Sequence, residues 1–464
     1  MYMSQETATS AKKTKQEMMM NDPIPGLVTK MAVPTIIAML ITSFYSLADT
    51  YFVGQIGTDA TAAVGVVFPL MAVIQAFGFF FGHGSGNAIS RRLGAGETRT
   101  AEKLASCGII SAITCGILIL ILGTIFAKPL SFALGSTESM LPYTMAYLKV
   151  LLIGAPFLAG SFVLNNQMRF QGNATRSMIG IASGSILNVI LDPILIFNFD
   201  MGVEGAALAT VIGQAVSLLV LTIGYIRAKC VKVRLSDIRY LPEQFREITA
   251  GGLPSLFRQG LASLATVTMN QVAVPFGAAA IAAMSVVGRI SFFANSAILG
   301  FGQGFQPVCG FNYGAGNYKR VKEAFYFTVK VATVGLLVLS ILGFIFAEDL
   351  ITLFRPDDPE AIKIGTLALR CNCITLPITA WVNMGNMLAQ TCKWTAPATI
   401  LASARQGLCL IPAVLILPQI FGLFGIQVAQ AVSDVISFII ATVIYFRVIS
   451  RLDESKEIAQ NKQV

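Results

Sequence analysis

The sequence predicts an all-α polytopic membrane protein, with twelve transmembrane helices in two pseudo-symmetric six-helix lobes. Three observations predict it. Apolar residues make up 55% of the 464-residue chain and charged residues only 12%, with a mean hydropathy of +0.71; a soluble globule carries about twice that charge. The apolar residues fall in blocks of about 20, the length a helix needs to cross ~30 Å of hydrocarbon. The pattern also repeats after 220 residues. A water-soluble enzyme, a transmembrane β-barrel, whose strands alternate in polarity, and a secreted disulfide scaffold are excluded.

In chain order, the blocks cover 31–53, 62–82, 104–127, 144–165, 177–198 and 205–226, then 251–272, 282–305, 324–347, 364–385, 397–417 and 424–446. Residues 1–30 read as an unstructured basic tail without a leader-like apolar run. The first lobe is then 31–227, a basic linker 228–250, the second lobe 251–446 and a C-terminal tail 447–464. Alternate loops carry the cations: Arg91, Arg92, Arg99 and Lys103; Arg169 and Arg176; Arg227 to Arg246; Lys319, Arg320, Lys322 and Lys330; and Lys393. Lys12, Lys13, Lys15 and Lys30 precede them, and Arg447, Arg451, Lys456 and Lys462 follow. The opposite loops hold only Lys128, Lys149, Arg355 and Lys363. By the positive-inside rule both termini are cytoplasmic, which accounts for the net charge of +9 without a nucleic-acid partner. The eight cysteines, with no CxxC pair, read as small buried hydrophobes.

At the offset of 220, Pro34 meets Pro254, Gly57 meets Gly277, and Gly82 and Gly84 meet Gly302 and Gly304. Gly94-Ala95-Gly96 recurs as Gly314-Ala315-Gly316, and Tyr225 and Arg227 as Tyr445 and Arg447. Six spans per repeat make the repeats parallel, an arrangement found in transporters that rock two bundles about a central site.

Ionisable groups in mid-membrane cost about 2.5–3.5 kcal/mol each, so each is a functional candidate. Here they are Asp49, Asp192, Asp434, Arg258, Arg289, Arg370 and Arg405. Counting 1.5 Å per residue from the span ends brings Asp49, Asp192 and Thr210 to one level in the outer half of the first lobe. Asn188 shares a helix face with Asp192, and Tyr45 with Asp49. Pro193 cannot donate to the helix ladder and frees a carbonyl beside Asp192, while Pro34 is placed to bend span one. Two carboxylates, an amide and a hydroxyl form an oxygen-lined pocket suited to H⁺ or Na⁺, in which both acids cannot stay ionised cheaply. In the second lobe, Asp434 is expected to pair with Arg258 or Arg405. Met39, Met269 and Met284, flexible and polarizable, with Tyr45 and Arg289, are candidates for the cavity wall. His83 reads as a solvated loop residue. No metal-ligand spacing, P-loop or catalytic triad is present.

Twelve spans, prolines early in spans one and seven, the Gly-Ala-Gly loops and the Asp49…Asn188-x-x-x-Asp192-Pro193 constellation make residues 25–450 resemble the multidrug and toxic compound extrusion (MATE) family, in its DinF/MepA-like bacterial branch. The resemblance implies a cofactor-free, non-enzymatic exporter in the bacterial inner (plasma) membrane, one that confers antibiotic resistance. It would expel amphipathic, usually cationic drugs, driven by inward H⁺ or Na⁺. It also implies that Asp49, Asn188, Asp192 and Thr210 form the first-lobe cation site, bordered by Tyr45. One family pattern is missing: spans seven and ten carry no acid, and the positions 220 beyond Asp49 and Asp192 are Met269 and Pro412. A lipid-linked saccharide flippase, and a receptor or assembly subunit that transports nothing, are the alternative readings.

Overall fold

The computed structural model describes residues 15–56, 58–138, 140–354, 356 and 358–461. The stretch 1–14 with Lys12 and Lys13, and Gly57, Arg355 and Lys462, lie outside the described residues, as do the side chains of Arg451 and Lys456. Among the described residues there is no strand. The first half contains α1 (Lys15–Asn21), α2 (Ile24–Gly54), α3 (Thr58–Gly94), α4 (Thr98–Ile125), α5 (Ala127–Ala133), α6 (Leu141–Ile153), α7 (Ala155–Phe170), α8 (Ala174–Pro193) and α9 (Gly202–Arg227). The second contains α10 (Leu241–Ala273), α11 (Ala278–Gly314), α12 (Tyr318–Ile345), α13 (Ala347–Phe354), α14 (Pro359–Thr375), α15 (Thr379–Thr391), α16 (Thr395–Ser403), α17 (Leu410–Phe421) and α18 (Leu423–Asn461).

Ten helical segments are long and apolar enough to cross a bilayer, and the α6–α7 pair, bent by 46°, makes an eleventh. The twelfth predicted span is α10, 33 residues long, which carries Arg258, Gln259, Asn270 and Gln271 along its length. Breaks sit where the sequence withholds backbone donors. Pro156 begins α7 after the bend at Gly154, and Pro193 ends α8 before a π-helical turn over Ile194–Asn198. Such turns mark spans whose ladder has been interrupted. A second π turn, Ala404–Leu408, separates α16 from α17. By contrast, α2 runs unbroken through Pro34.

Two predicted connecting segments are ordered. The tail is helical from Lys15: Met19 is fully buried, the Asn312 amide donates to its carbonyl at 3.0 Å and Arg320 donates to the Asp22 carbonyl at 2.6 Å. Span one starts at Ile24 rather than 31, because Ile24, Leu27 and Val28 pack into the core shared with α11 and α12. The polar Asp22-Pro23 break concealed that continuity. The linker 228–250 forms a 3₁₀ turn, Leu235–Tyr240, followed by the first turns of α10. It docks on α4 through Arg99–Asp237 at 2.6 Å and a Ser106 hydroxyl that accepts from the Arg234 amide at 2.9 Å.

The two halves meet through α3 against α10 and α2 against α11. Glycines set the spacing. A Cβ on Gly84 would lie 2.2 Å from the Ile248 carbonyl oxygen, one on Gly252 2.2 Å from that of Phe80, and one on Gly304 2.4 Å from the Ala32 Cα. A Cβ on Gly94 would lie 2.1 Å from the Phe311 carbonyl oxygen, and one on Gly314 1.9 Å from that of Arg91. All of these lie toward the end that carries the basic loops. There Arg92 and Lys393 grip Glu247 at 2.6 and 2.9 Å. Burial alone would raise the Glu247 carboxyl, yet these two hydrogen bonds hold it below the usual carboxylate range. Arg91 donates to the Thr391 carbonyl at 2.8 Å, and Thr391 donates to Asn87 at 2.9 Å. Toward the other end, Gly54, Gly65, Gly260 and Gly288, on the same four helices, would meet nothing within 4 Å. The close backbone crossings between the lobes are gathered at the basic end.

Gly314→Ala places a methyl against the Arg91 backbone, and overpacking of this kind costs about 1–3 kcal/mol. We expect a lowered Tm in detergent, with Gly335→Ala, whose methyl meets nothing within 4 Å, as the unchanged control. Equal Tm values for the two variants would show that the glycine crossing does not hold the lobes together.

Candidate functional site

The pocket is assembled by α2, α6, α8 and α9. Gly184 of α8 and Gly213 of α9 let the two backbones touch, each Cβ position lying 2.3–2.7 Å from the other's carbonyl oxygen. One turn away, Asn188 and Thr210 are therefore in direct contact: the Asn188 amide nitrogen donates to the Thr210 hydroxyl at 3.2 Å. That hydroxyl donates onward to the Ala206 carbonyl at 3.1 Å. Thr210 thus orients Asn188, leaving the amide oxygen turned into the pocket. Asp192, one further turn along α8, is fully buried, as are Asn188 and Thr210. A Cβ on Gly205 would lie 2.8 Å from the Leu195 backbone, so the glycine lets the π turn after Pro193 seat against α9.

Asp49 and Tyr45, on adjacent turns of α2, complete the group. Asp192 lies within electrostatic reach of Asp49; Tyr45 reaches both acids and Thr210. Tyr147 of α6, 5% exposed, also faces Asp49, Asp192 and Tyr45. Sequence reasoning missed Tyr147, since a lone tyrosine in an apolar block has no spacing signal; the bend at Gly154 brings α6 across to α9 and into the pocket.

The polar inventory is one-sided. Asp49 Oδ1, Asn188 Oδ1 and both carboxylate oxygens of Asp192 are buried without a hydrogen-bond donor. Buried acceptors left unpaired cost about 1–3 kcal/mol each, and more when charged. No third His, Cys, Asp or Glu joins the two acids in a metal-binding cluster among the described residues. Such a pocket suits a small electropositive guest of single charge, a proton or a monovalent cation.

The second half contrasts with this. Asp434 is 2% exposed in its side chain and paired with Arg405 Nε at 2.8 Å; Gln430 and Thr375 donate to it at 3.0 and 3.3 Å. Arg405 also donates to Asn295 Oδ1 at 3.0 Å. Of the two arginines expected for Asp434, Arg258 is elsewhere. It lies on α10 one turn from Ser255, within electrostatic reach of His83 and Arg169. Arg370 is not a mid-span charge either: it donates to the Phe344 carbonyl at the end of α12 at 3.4 Å, a favourable place for a cation. Met284 is buried in the core of α11 with Met269 packed against that core, so Met284 is not cavity wall. Met39 lies on the α2 stripe with Ser43, whose hydroxyl is 3.3 Å from that of Ser296. Arg289 is exposed on α11, seven residues from Ser296 and hence on the same face.

His83 and Arg169 depart furthest from expectation. Neither is in a loop: His83 is 1% exposed and Arg169 2%. His83 Nδ1 contacts the Ser255 hydroxyl at 2.7 Å and Nε2 contacts Arg169 at 3.2 Å. Arg169 in turn donates to Gln303 Oε1 at 2.6 Å. α3 and α7 are thereby tied to α10 and α11 where the lobes converge. The basic loop was placed five residues too early, because α7 ends in Asn165-Asn166-Gln167-Met168-Arg169-Phe170, whose polar residues read as a loop but are buried by their neighbours.

Removing one member of a buried ion pair costs about 3–5 kcal/mol. Arg405→Ala should therefore lower the Tm by many degrees and cut the folded yield in detergent. Asp49→Asn, which removes an uncompensated charge, should leave the Tm unchanged or raise it. A Tm for Arg405→Ala equal to the wild type would show that the pair is not structural.

Comparison with known proteins agrees with this architecture. The MatE family profile matches residues 34–194 and again 254–416, so the two matches start 220 residues apart. The multidrug export protein MepA of Staphylococcus saprophyticus subsp. saprophyticus is 29% identical over 428 residues, covering 92% of this chain and 94% of that protein. MepA of Staphylococcus aureus is 27% identical over 432 residues, covering 93% and 95%. A solved structure described as the outward-facing conformation of a multidrug resistance MATE family transporter of the MOP superfamily superposes with a TM-score of 0.89. It is 27% identical and covers 96% of this chain and 100% of that one. With both halves matched by one profile and the whole fold shared, the chain belongs to the MatE family of membrane transporters.

Proposed function

We propose that this chain is a secondary active exporter of amphipathic small molecules in the bacterial plasma membrane, an antiporter in which inward H⁺ drives release of cargo. One observation carries the proposal: four buried acceptor oxygens of Asp49, Asn188 and Asp192 have no donor. A proton is the simplest guest that answers them, because it needs one oxygen and removes one negative charge. The names of the MepA relatives support multidrug export.

With the basic end in the cytoplasm, the close glycine crossings at that end support a cycle in which the pocket takes up protons from outside. Protonation changes the repulsion between Asp49 and Asp192 and with it the seat of α2 on α8. Cargo bound between the lobes experiences a different cleft in the two protonation states. That difference is the coupling free energy, typically 1–3 kcal/mol.

Asp192→Asn should abolish dye export from proteoliposomes, a loss of at least about tenfold, while the protein still inserts and keeps its Tm. Export that persists at the wild-type rate would refute the coupling role. An imposed pH gradient without Na⁺ should drive export; a Na⁺ gradient at equal pH should not. The reverse pattern would assign the coupling ion to Na⁺.

A further inference from the structure

Where the lobes converge, Arg258 and Arg169 come within electrostatic reach of each other, with no acid to balance them among the described residues. Arg258 projects from α10 one turn beyond Ser255, which itself contacts His83 at 2.7 Å. It is half-buried. Below it, Arg169 is almost fully buried and spends its two terminal nitrogens on neutral acceptors, Gln303 Oε1, Asn166 Oδ1 and the His83 ring. Its Nε is buried without a partner. The charged group within electrostatic reach of Arg169 is Arg258, another cation, and no carboxylate reaches either of them among the described residues. Higher on the same side, Arg289 is exposed on the face of α11 that carries Ser296. The acids of the first lobe belong to the separate pocket between α2 and α8.

A half-buried cation without a counter-charge is costly, and the cost falls when an anion docks beside it. Arg258 presents a planar fork suited to a carboxylate or similar oxyanion. We infer that Arg258, backed by Arg169 and His83, is the polar anchor of the substrate cavity and selects amphipathic cargo carrying a carboxylate or a comparable anionic group. This inference rests on the export reading and refines its substrate class: the anchor favours acids and zwitterions over purely cationic compounds. Division of labour follows. The first lobe manages the coupling ion with acids, and the second holds the cargo's anionic end.

The test uses the full-length protein and a matched pair of rhodamine dyes, the free carboxylic acid and its ethyl ester, which differ only in that group. Binding to purified transporter is read by fluorescence anisotropy, and export from proteoliposomes by dye release. Wild type should bind the acid about tenfold more tightly than the ester. Arg258→Gln should erase that preference by weakening the acid alone, with ester binding serving as the control for folding, and Arg258→Lys should restore part of it. Equal or tighter binding of the ester by wild type would overturn the inference, as would an Arg258→Gln variant that weakens both dyes alike. Export of the ester without the acid would overturn the anchor while leaving the export reading intact. Failure to bind or export either dye would overturn both.

Discussion

Carboxyl oxygens buried without donors set the chemistry of the first half of this molecule. Asp192 is fully enclosed with both oxygens unpaired, and Asp49 and Asn188 each add another unpaired oxygen. Four such atoms away from water are costly, and the cost falls when an electropositive group answers them. The surrounding geometry serves that arrangement. Gly184 and Gly213 bring α8 and α9 into backbone contact, Thr210 aims the Asn188 oxygen inward, and Pro193 ends the α8 ladder beside Asp192. Tyr147 closes the pocket from α6.

The repeat makes the contrast between the halves informative. Both have six spans and the same glycine crossings, yet the second half puts Met269 and Pro412 where the first has Asp49 and Asp192. Its own buried acid, Asp434, has Arg405, Gln430 and Thr375 around it. One lobe stores an unbalanced charge and the other neutralises its charge internally. Symmetry of the backbone therefore coexists with asymmetry of chemistry: the unpaired acids lie in one repeat, and Arg258, which no carboxylate reaches among the described residues, lies in the other.

Much of this was legible from the sequence, for identifiable reasons. Hydrocarbon thickness dictates the span lengths, the offset of 220 aligns the glycine crossings, and 3.6-residue periodicity places Asn188 over Asp192 and Tyr45 over Asp49. Illegible were features set by tertiary packing. His83 and Arg169 read as loop residues because polarity normally marks a span's end, whereas here polar groups from α3, α7, α10, α11 and α15 satisfy one another across the lobe boundary. Met284 fits an apolar core and a cavity wall equally well by type, and only its neighbours place it in the core. Lys15–Asn21 is too short and too polar to signal a helix alone; it is ordered by the Met19 socket and Asn312. Tyr147 needed the bend at Gly154.

The route from pocket to cleft runs along α2. One face of this helix carries Ala32, Ile36 and Ser43, which touch Gly304, Gly300 and Ser296 of α11 across the lobe boundary. Tyr45 and Asp49 project from nearly the opposite face toward α8. A change in charge at Asp49 therefore acts on the same rigid rod whose other side forms the inter-lobe seam. The glycine contacts leave little slack, because backbone atoms sit where side chains would otherwise cushion a shift. A sideways displacement of α2 must be passed to α11 or relieved near Pro34, where the ladder lacks one hydrogen bond and Thr35 instead bonds back to the Met31 carbonyl at 2.9 Å. Proline thus lies between the lower seam contact at Ala32 and the upper one at Ser43. Bending there would part Ser43 from Ser296 while leaving Ala32 seated against Gly304.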